Sequence, residues 1–283
     1  MNKGEIDKLD RLFDFLGAYS RVAIAFSGGT DSLFLTWAAA QALGGQNVVA
    51  LTAYSDLAPL PDAKERDFMA ATLVAFGVER TFCETRPLEI PEVRENSLRR
   101  CYHCKKAIFL TLWAAARQRG IETLMDGTNA DDSGVFRPGA EALRELRVES
   151  PLRECGFSKK EICETALKNG LLVANRRADS CLATRFPYGV SLSHELLRFA
   201  LRAEEIYNAE FHPRGNYRVR VHVENDGLLA RVEVALVDWR EVLGDPQRVR
   251  EFAHKLRELG ARFVTFDAEG FRSGSFDTNT TKG

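Results

Sequence analysis

A short stretch near the N-terminus most constrains the fold. Residues 22–26 read VAIAF, and a Gly-containing hexapeptide leads from them into an Ala- and Leu-rich segment: Ser27, Gly28, Gly29, Thr30, Asp31 and Ser32. Such an apolar run fits a strand buried inside a parallel sheet. The two glycines permit close backbone approach, and the turn's N–H groups and the following helix N-terminus attract anions. The stretch predicts a strand–loop–helix unit that holds phosphate.

The same alternation continues downstream. Further strands are predicted at 47–54, 78–84 and 121–127, and helices at 32–43, 61–76 and 101–119, with Pro61 at a helix start. Strands that alternate with helices of this length indicate right-handed βαβ units, so we expect an α/β fold with a Rossmann-like parallel sheet. Ligands bind beyond the carboxyl ends of such strands. Both the hexapeptide and Gly127, in Asp126–Asn129, fall at those ends.

The pattern changes after about residue 190. A helix at 193–209 precedes two tightly alternating segments, 217–225 and 228–237, which are separated by a hairpin signal ending in Gly227. A helix at 246–260 and a strand at 261–267 complete a smaller α+β module. We therefore predict a first domain over 1–190 and a second over 191–272. The last residues, 273–283, have little to bury, and we expect a disordered tail.

Bulk properties exclude several classes of protein. The 283 residues are 45% hydrophobic and 28% charged, with a net charge of −1. A chain without an overall positive charge lacks the usual electrostatic footprint of nucleic-acid binding. The N-terminal stretch has no long apolar core of a signal peptide, and no window approaches a membrane span. We expect a cytoplasmic protein that binds neither nucleic acid nor membrane.

The hexapeptide belongs to neither of the two commonest phosphate-binding patterns. It lacks the lysine of the Walker loop and the spacing of the dinucleotide G-x-G-x-x-G pattern. Asp31 would repel a phosphate unless Mg²⁺ lies between them or the carboxylate orders the loop. S-G-G-x-D-S after a strand resembles the pyrophosphate loop (PP-loop) of N-type ATP pyrophosphatases. That resemblance implies cleavage of ATP between its α and β phosphates and adenylation of a substrate, which a nucleophile then attacks.

Three cysteines could supply that nucleophile. Cys101 and Cys104 form a C-x-x-C pair at a predicted helix start, followed by two lysines, and Cys181 lies in the non-periodic stretch ADSCLATRFPYG. Helix N-termini and nearby cations lower thiol pKa values. Three thiols could hold a four-iron cluster with one iron open. The pair could instead form a redox disulfide or bind zinc with His103. We interpret the others, Cys83, Cys155 and Cys163, as structural.

Taken in order, the motifs are similar to the LarE family of sulfur transferases: SGGTDS, RRCYHCKK, DGTNADD, RRADSCLATRFPYG and YRVRVH…LLARVEV. The resemblance spans roughly residues 5–270. It implies a role in building the nickel-pincer nucleotide cofactor of lactate racemase. The family adenylates a carboxylate of pyridinium-3,5-biscarboxylic acid mononucleotide and converts it to a thiocarboxylate. The cofactors implied are ATP and Mg²⁺. The implied partners are the small-molecule nucleotide substrate, other copies of the chain in a homo-oligomer, and the pathway's nickel-insertion and carboxylation enzymes.

The resemblance also implies roles for individual residues. Members with three such cysteines are thought to carry a [4Fe-4S] cluster that delivers sulfide, which is the first expectation here. Members without the C-x-x-C pair sacrifice the sulfur of the cysteine matching Cys181 and leave dehydroalanine, which is the rival expectation. Substrate-phosphate binding is expected at Arg218 and Arg220, which point to one face of a strand. Arg185 joins them, and the implied acidic active-site residues are Glu205 and Glu233.

Other functions use similar parts. Some tRNA thiolases combine a pyrophosphate loop with a C-x-x-C pair and a third cysteine, but they need a basic face for RNA. Amidating synthases that make NAD or GMP deliver ammonia and have no use for the three cysteines. A nucleotide sensor would bind ATP without turnover. For the arginines and glutamates, the competing interpretation is a solvated surface of strand and helix.

Overall fold

The computed structural model describes residues 3–59, 63–132, 138–171 and 180–277, with side chains from residue 8 onward. Two compact units divide the chain, and both are discontinuous in sequence. The first unit comprises residues 1–55, 60–87 and 101–176, and the second comprises 56–59, 88–100 and 177–283. Pro61, residues 176–179 of the Cys181 motif and residues 278–283 lie outside the described residues. The predicted domain division at residue 190 stays a prediction.

The helices, in chain order, are α1 (Lys3–Gly17), α2 (Thr30–Leu43), α3 (Ala63–Ala75), α4 (Pro91–Arg94), α5 (Arg100–Arg117), α6 (Pro138–Glu145), α7 (Pro151–Glu154), α8 (Lys159–Lys168), α9 (His194–Phe211), α10 (Trp239–Leu243) and α11 (Pro246–Glu258). The strands are β1 (Val22–Ala25), β2 (Val48–Ser55), β3 (Glu79–Thr85), β4 (Leu124–Met125), β5 (Tyr217–Glu224), β6 (Gly227–Val234) and β7 (Ala261–Phe266). Among the described helices, none is both long and apolar enough to cross a membrane.

A parallel four-stranded sheet organises the first unit, in the order β3-β2-β1-β4. This confirms the α/β, Rossmann-like class. β4 is shorter than the strand predicted over 121–127, because the backbone at both of its ends is used elsewhere. The N–H of Ile121 closes the C-terminus of α5 on Ala116, and the carboxylate of Asp126 accepts from the N–H of Thr128.

Both faces of this sheet are covered, as expected for parallel strands. Ile24, Val48 and Ala50 pack in one cluster with residues of α1 and α2, and Ala23, Val49 and Leu51 pack in another with residues of α5. Successive side chains of a strand point to opposite faces, which is why neighbouring residues of β1 enter different clusters. The two layers of helices leave the carboxyl ends of the strands for the loops that carry polar groups.

The second unit contains a mixed three-stranded sheet in the order β5-β6-β7. β5 and β6 form the predicted antiparallel hairpin, in which Glu224 pairs with Gly227, and β7 runs parallel to β6 after the crossover helix α11. An aromatic core supports the sheet: the ring centroid of Tyr207 lies 4.5 Å from that of Tyr217 and 5.7 Å from that of Phe252. Residues 273–277, from the predicted tail, form turns.

Candidate active site

The phosphate loop, defined as Ser27–Ser32, joins β1 to α2 in the first unit. Its hydroxyl groups hold its own backbone: Ser32 Oγ donates to the carbonyl of Gly29 at 3.0 Å, and the N–H of Gly29 donates to Ser27 Oγ at 3.3 Å. Gly28 adopts a φ of 78°, which favours glycine. Gly29 caps α2 and supplies no side-chain acceptor, so the first N–H groups of α2 suit an anion.

The loop after β4 approaches the phosphate loop closely. A Cβ atom at Gly127 would lie 2.9 Å from the backbone nitrogen of Ser32, which only glycine avoids. The preceding carboxylate, on the buried Asp126, accepts from Ser150 Oγ at 2.7 Å and from Thr128 Oγ1 at 2.5 Å. These bonds fix the loop that lies against the phosphate loop.

Asp31 has two partners that sequence reasoning missed. Its carboxylate accepts from Lys159 Nζ at 2.6 Å and from Asn129 Nδ2 at 3.2 Å. Lys159 starts α8, whose capping box between Ser158 and Glu161 is visible in the sequence, but no local pattern indicates a contact across 128 positions. The pair orders the phosphate loop and places an ammonium group beside it.

A cavity of about 360 Å³ opens between these loops and α5 within the first unit. Its polar lining comprises Ser27, Gly29, Thr30, Asp31, Ser32, Lys105, Asp126, Gly127, Thr128, Asp132 and Lys159, and its apolar lining comprises Ala25, Phe26, Leu51, Ala53, Ile108, Phe109 and Leu112. A cavity of this size, with charged groups and backbone N–H donors together with an apolar wall, suits a small molecule that has both phosphate and ring groups.

The two cysteines of the C-x-x-C pair lie on α5, the helix that forms the apolar wall. Cys101 is exposed and Cys104 is partly exposed. Positions 101, 104, 105, 108 and 112 follow the spacing of one helical stripe, and the last three line the cavity. The thiols therefore continue the stripe of the cavity wall toward the start of the helix.

All six cysteines lie in the described part of the chain, and none of them forms a disulfide. Burial raises the pKa of the Cys83 and Cys155 thiols, so these two stay protonated at neutral pH. Within the described ranges, no three His, Cys, Asp or Glu side chains form a group that could hold a metal ion. Cys181 belongs to the second unit, so the set of three thiols is not a feature of either unit alone.

In the second unit, Arg185 holds the loop that carries Cys181. This side chain is fully buried, and its Nη1 donates to the carbonyls of Ser180 and Cys181 at 2.6 Å and 3.2 Å. Its Nε and Nη2 form a two-point pair with Glu204, at 2.9 Å and 2.8 Å. All three guanidinium nitrogens are thus used inside the unit, which makes Arg185 a positioning residue for the Cys181 loop.

Arg220 and Glu233 form a second buried pair, with Nε of Arg220 3.0 Å from the carboxylate. Arg220 also donates to the carbonyls of Thr184 at 2.7 Å and Arg272 at 3.2 Å. Arg218 is buried as well, and its guanidinium lies 5.6 Å from the ring centroid of Phe271. The structure therefore brings Arg185, Arg218, Arg220 and Glu233 into one unit, with residues 271–272 beside them.

Glu205 belongs to the same unit but lies on its surface. Glu205 is exposed and pairs with Arg202 one turn before it on α9, whereas its neighbour Glu204 is buried against Arg185. The sequence contains a signal that Glu204, and not Glu205, is the buried glutamate. The buried residues of this part of α9 follow one helical stripe: Ala200, Ala203, Glu204 and Tyr207. The role predicted for Glu205 stays a prediction.

The parallel sheet, with S-G-G-x-D-S at the carboxyl end of its first strand, fits a PP-loop fold. No family model matches the chain. It is 32% identical over 262 residues, 93% of this chain and 91% of the relative, to the pyridinium-3,5-bisthiocarboxylic acid mononucleotide synthase of Lactiplantibacillus plantarum. The chain belongs to the family of that synthase, the LarE family.

Two further relatives have nearly the same length. An uncharacterized protein of Synechocystis is 34% identical over 275 residues, which cover 97% of this chain and 98% of the relative. An uncharacterized protein of Methanocaldococcus jannaschii is 26% identical over 253 residues, which cover 89% and 91% of the two chains. The similarity therefore extends across both units.

Proposed function

We propose that the protein is an ATP-dependent sulfur transferase that converts a carboxylate of pyridinium-3,5-biscarboxylic acid mononucleotide into a thiocarboxylate. The observation that carries this proposal is the cavity at the phosphate loop, in a chain whose relative is named for the bisthiocarboxylic product. A sulfur atom can replace a carboxylate oxygen only if that oxygen first becomes a good leaving group. Adenylation by ATP supplies that activation.

The lining of the cavity fits ATP and Mg²⁺. The N–H groups at the start of α2 and the ammonium of Lys159 suit phosphate oxygens, and the apolar wall suits a base. Gly127, which has no Cβ atom, lets the loop after β4 approach the phosphate loop closely. Mg²⁺ prefers carboxylate oxygens and phosphates, so Asp31, in the phosphate loop, would hold it together with the phosphates of ATP. The metal would offset the charge on the phosphates.

The chemical steps balance without a redox partner. A substrate carboxylate oxygen attacks the α-phosphorus of ATP, a P–O bond forms, and pyrophosphate leaves with the electron pair of the broken bond. A sulfur nucleophile then attacks the acyl carbon, and AMP leaves with the oxygen that it received from the carboxylate. The protein's contribution is to hold the two reactants in line and to stabilise the charge on the leaving groups.

For the sulfur source we propose a [4Fe-4S] cluster held by Cys101, Cys104 and Cys181, which would supply a sulfide ion when bound. The exposed or partly exposed state of these thiols, unlike that of Cys83 and Cys155, supports them as ligands. The sacrificial alternative rests on Cys181 alone, whose carbonyl accepts from Arg185 and from Thr184 Oγ1 at 2.7 Å. A rigid backbone at Cys181 suits either role.

For substrate binding we propose Arg218 and Arg220, with Arg185 acting through the Cys181 loop. Arg220 already donates to Glu233, Thr184 and Arg272, so it would have to exchange the Arg272 carbonyl for a phosphate oxygen. When no phosphate is bound, the carboxylate of Glu233 neutralises the charge of Arg220. Glu205 would act only if substrate reached the exposed face of α9. We expect a cytoplasmic homo-oligomer whose product passes to a nickel-inserting enzyme.

Pyrophosphate release tests the proposal. We expect release that requires ATP, Mg²⁺ and the mononucleotide together, with formation of AMP. Binding of ATP without release under those conditions would favour a nucleotide sensor instead. A gel shift with bulk tRNA at moderate salt addresses the thiolase alternative, and tight binding would contradict our proposal.

The sulfur source needs its own measurement. After anaerobic reconstitution with iron and sulfide, we expect visible sulfide-to-iron absorption that Cys101→Ala abolishes and Cys163→Ala retains. Mass spectrometry of the chain after one turnover decides between the two sources. A Cys181 residue that is lighter by the mass of hydrogen sulfide would establish the sacrificial route and exclude cluster delivery.

A further inference from the structure

Arg100 is a buried cation without a hydrogen-bonding partner at two of its nitrogens. The residue is 6% exposed, and neither Nε nor Nη1 has a partner among the described residues. Nor does any described carboxylate form an ion pair with it. A buried cationic side chain that is not paired is unfavourable for the fold. An anion normally supplies the hydrogen-bond acceptors and the negative charge that such a group lacks.

The surroundings of Arg100 are rigid. The N–H of Arg100 donates to the carbonyl of Ser97 at 3.0 Å, which closes a turn over 97–100. Asn96 fixes the start of that turn: its Nδ2 donates to the carbonyl of Pro187 at 2.7 Å, and its carbonyl accepts from Gly189 at 3.1 Å. The turn is thus joined to the segment that carries Tyr188 within the same unit.

Tyr188 covers the guanidinium of Arg100. The distance from the guanidinium carbon to the ring centroid is 4.2 Å, and the tyrosine hydroxyl donates to Asp277 at 2.7 Å. Stacking on a ring orients a guanidinium but satisfies none of its N–H groups. Ser97, at the other end of the turn, also has a buried hydroxyl without a partner among the described residues. Two side chains of one turn thus have donors that no described residue uses.

We propose that Arg100 and Ser97 form an oxyanion-binding position in the second unit, distinct from the one proposed at Arg218 and Arg220. A guanidinium and a hydroxyl that belong to one turn are the kinds of donor that carboxylate and phosphate oxygens accept from. This identification rests on the proposed function at one point: the mononucleotide has a phosphate and two carboxylates, so it needs more than one cationic position. Arg100 supplies a second.

Inorganic phosphate, without ATP or turnover, is the probe that tests this position. The test uses the full chain and three variants: Arg100→Met, Arg100→Lys and the matched control Arg99→Met, which removes the same charge from an exposed neighbour. By isothermal titration we expect one fewer phosphate bound per chain in Arg100→Met than in Arg99→Met. Arg100→Lys should keep the site with about tenfold weaker affinity, because one hydrogen bond is lost.

Thermal unfolding in a buffer without oxyanions provides the second readout. A buried guanidinium that lacks a partner destabilises the fold, so Arg100→Met should unfold at the same temperature as the wild type or higher. Equal phosphate stoichiometry in Arg100→Met and Arg99→Met would overturn the proposal. So would a lower unfolding temperature of Arg100→Met without oxyanions, because the guanidinium would then serve the fold alone. Neither result would bear on pyrophosphate release, so the proposed function would stand or fall separately.

Acetate as a competitor identifies the kind of oxyanion. If acetate displaces phosphate from the Arg100 position at similar concentration, a carboxylate is the natural group. If phosphate binds at least about tenfold more tightly than acetate, the natural group is a phosphate ester. Both results support the oxyanion position, whereas phosphate that binds only where Arg218 and Arg220 are intact contradicts it.

Discussion

Replacement of Gly127 by alanine is the change that tests most sharply how the phosphate loop is built. The added Cβ would lie 2.9 Å from the backbone nitrogen of Ser32 and 3.2 Å from both the carbonyl carbon of Asp31 and the Cα of Ser32. Non-bonded heavy atoms prefer about 3.5 Å or more, so one of the two loops must move by about 0.6 Å. All three of these atoms belong to the backbone and cannot rotate away.

The expected loss is larger for function than for stability. A displacement of about 1 Å of a positioned group can reduce a rate about a hundredfold, so we expect Gly127→Ala to slow pyrophosphate release by between about tenfold and a hundredfold. Overpacking should reduce the free energy of unfolding by about 1–3 kcal/mol. Steady-state pyrophosphate release, ATP titration and denaturant unfolding measure these quantities.

Gly17→Ala is the matched control, because a Cβ there meets nothing within 4 Å. It should leave ATP binding unchanged and alter the free energy of unfolding by less than about 1 kcal/mol. If Gly127→Ala binds ATP and releases pyrophosphate as the wild type does, the close contact between the two loops is not what positions the phosphates, and the reasoning fails.

Three other substitutions follow from individual contacts. Lys159→Met removes the ammonium beside the phosphate loop and should weaken ATP binding about tenfold by calorimetry, whereas Lys160→Met, whose side chain is 84% exposed, should not. The ammonium of Lys8 and the backbone N–H of Ser158 lower the pKa of the Glu161 carboxyl group in the folded protein to about 2. The ionised carboxylate therefore stabilises the fold at pH values above the pKa that this group has in the unfolded chain. The advantage of the wild type over Glu161→Gln, at most about 1 kcal/mol for this partly exposed pair, should be present at pH 7 and disappear between about pH 5 and pH 2 in urea titrations. Arg220→Met leaves the fully buried Glu233 without its nearer partner and should lower the free energy of unfolding by about 3 kcal/mol; a loss below about 1 kcal/mol would contradict a buried ion pair.

Local patterns in the sequence were sufficient for the elements of the first unit. The apolar run of β1, the glycines after it and the periodicity of α5 each report on their own segment, so the α/β class followed. Pairing is decided by distant segments, and the sequence therefore did not indicate that β7 runs parallel to β6. The late start of β4 likewise depends on a hydrogen bond that closes α5, from the N–H of Ile121 to the carbonyl of Ala116.

The candidate site shows the same limit. The phosphate loop and Gly127 were found because glycines mark backbone positions directly. The contact of Lys159 with Asp31 joins residues 128 positions apart, and no local pattern encodes it. On α9, the stripe of buried positions distinguishes Glu204 from Glu205, so the sequence contains the information that Glu204 is the buried glutamate.

The central claim is that a substrate carboxylate receives AMP before sulfur replaces the oxygen. Labelling the carboxylates of the mononucleotide with ¹⁸O tests it directly, because the oxygen that bridges to AMP leaves with AMP. We expect AMP recovered after turnover to contain one ¹⁸O atom for each thiocarboxylate formed. Unlabelled AMP, or formation of ADP in its place, would contradict it.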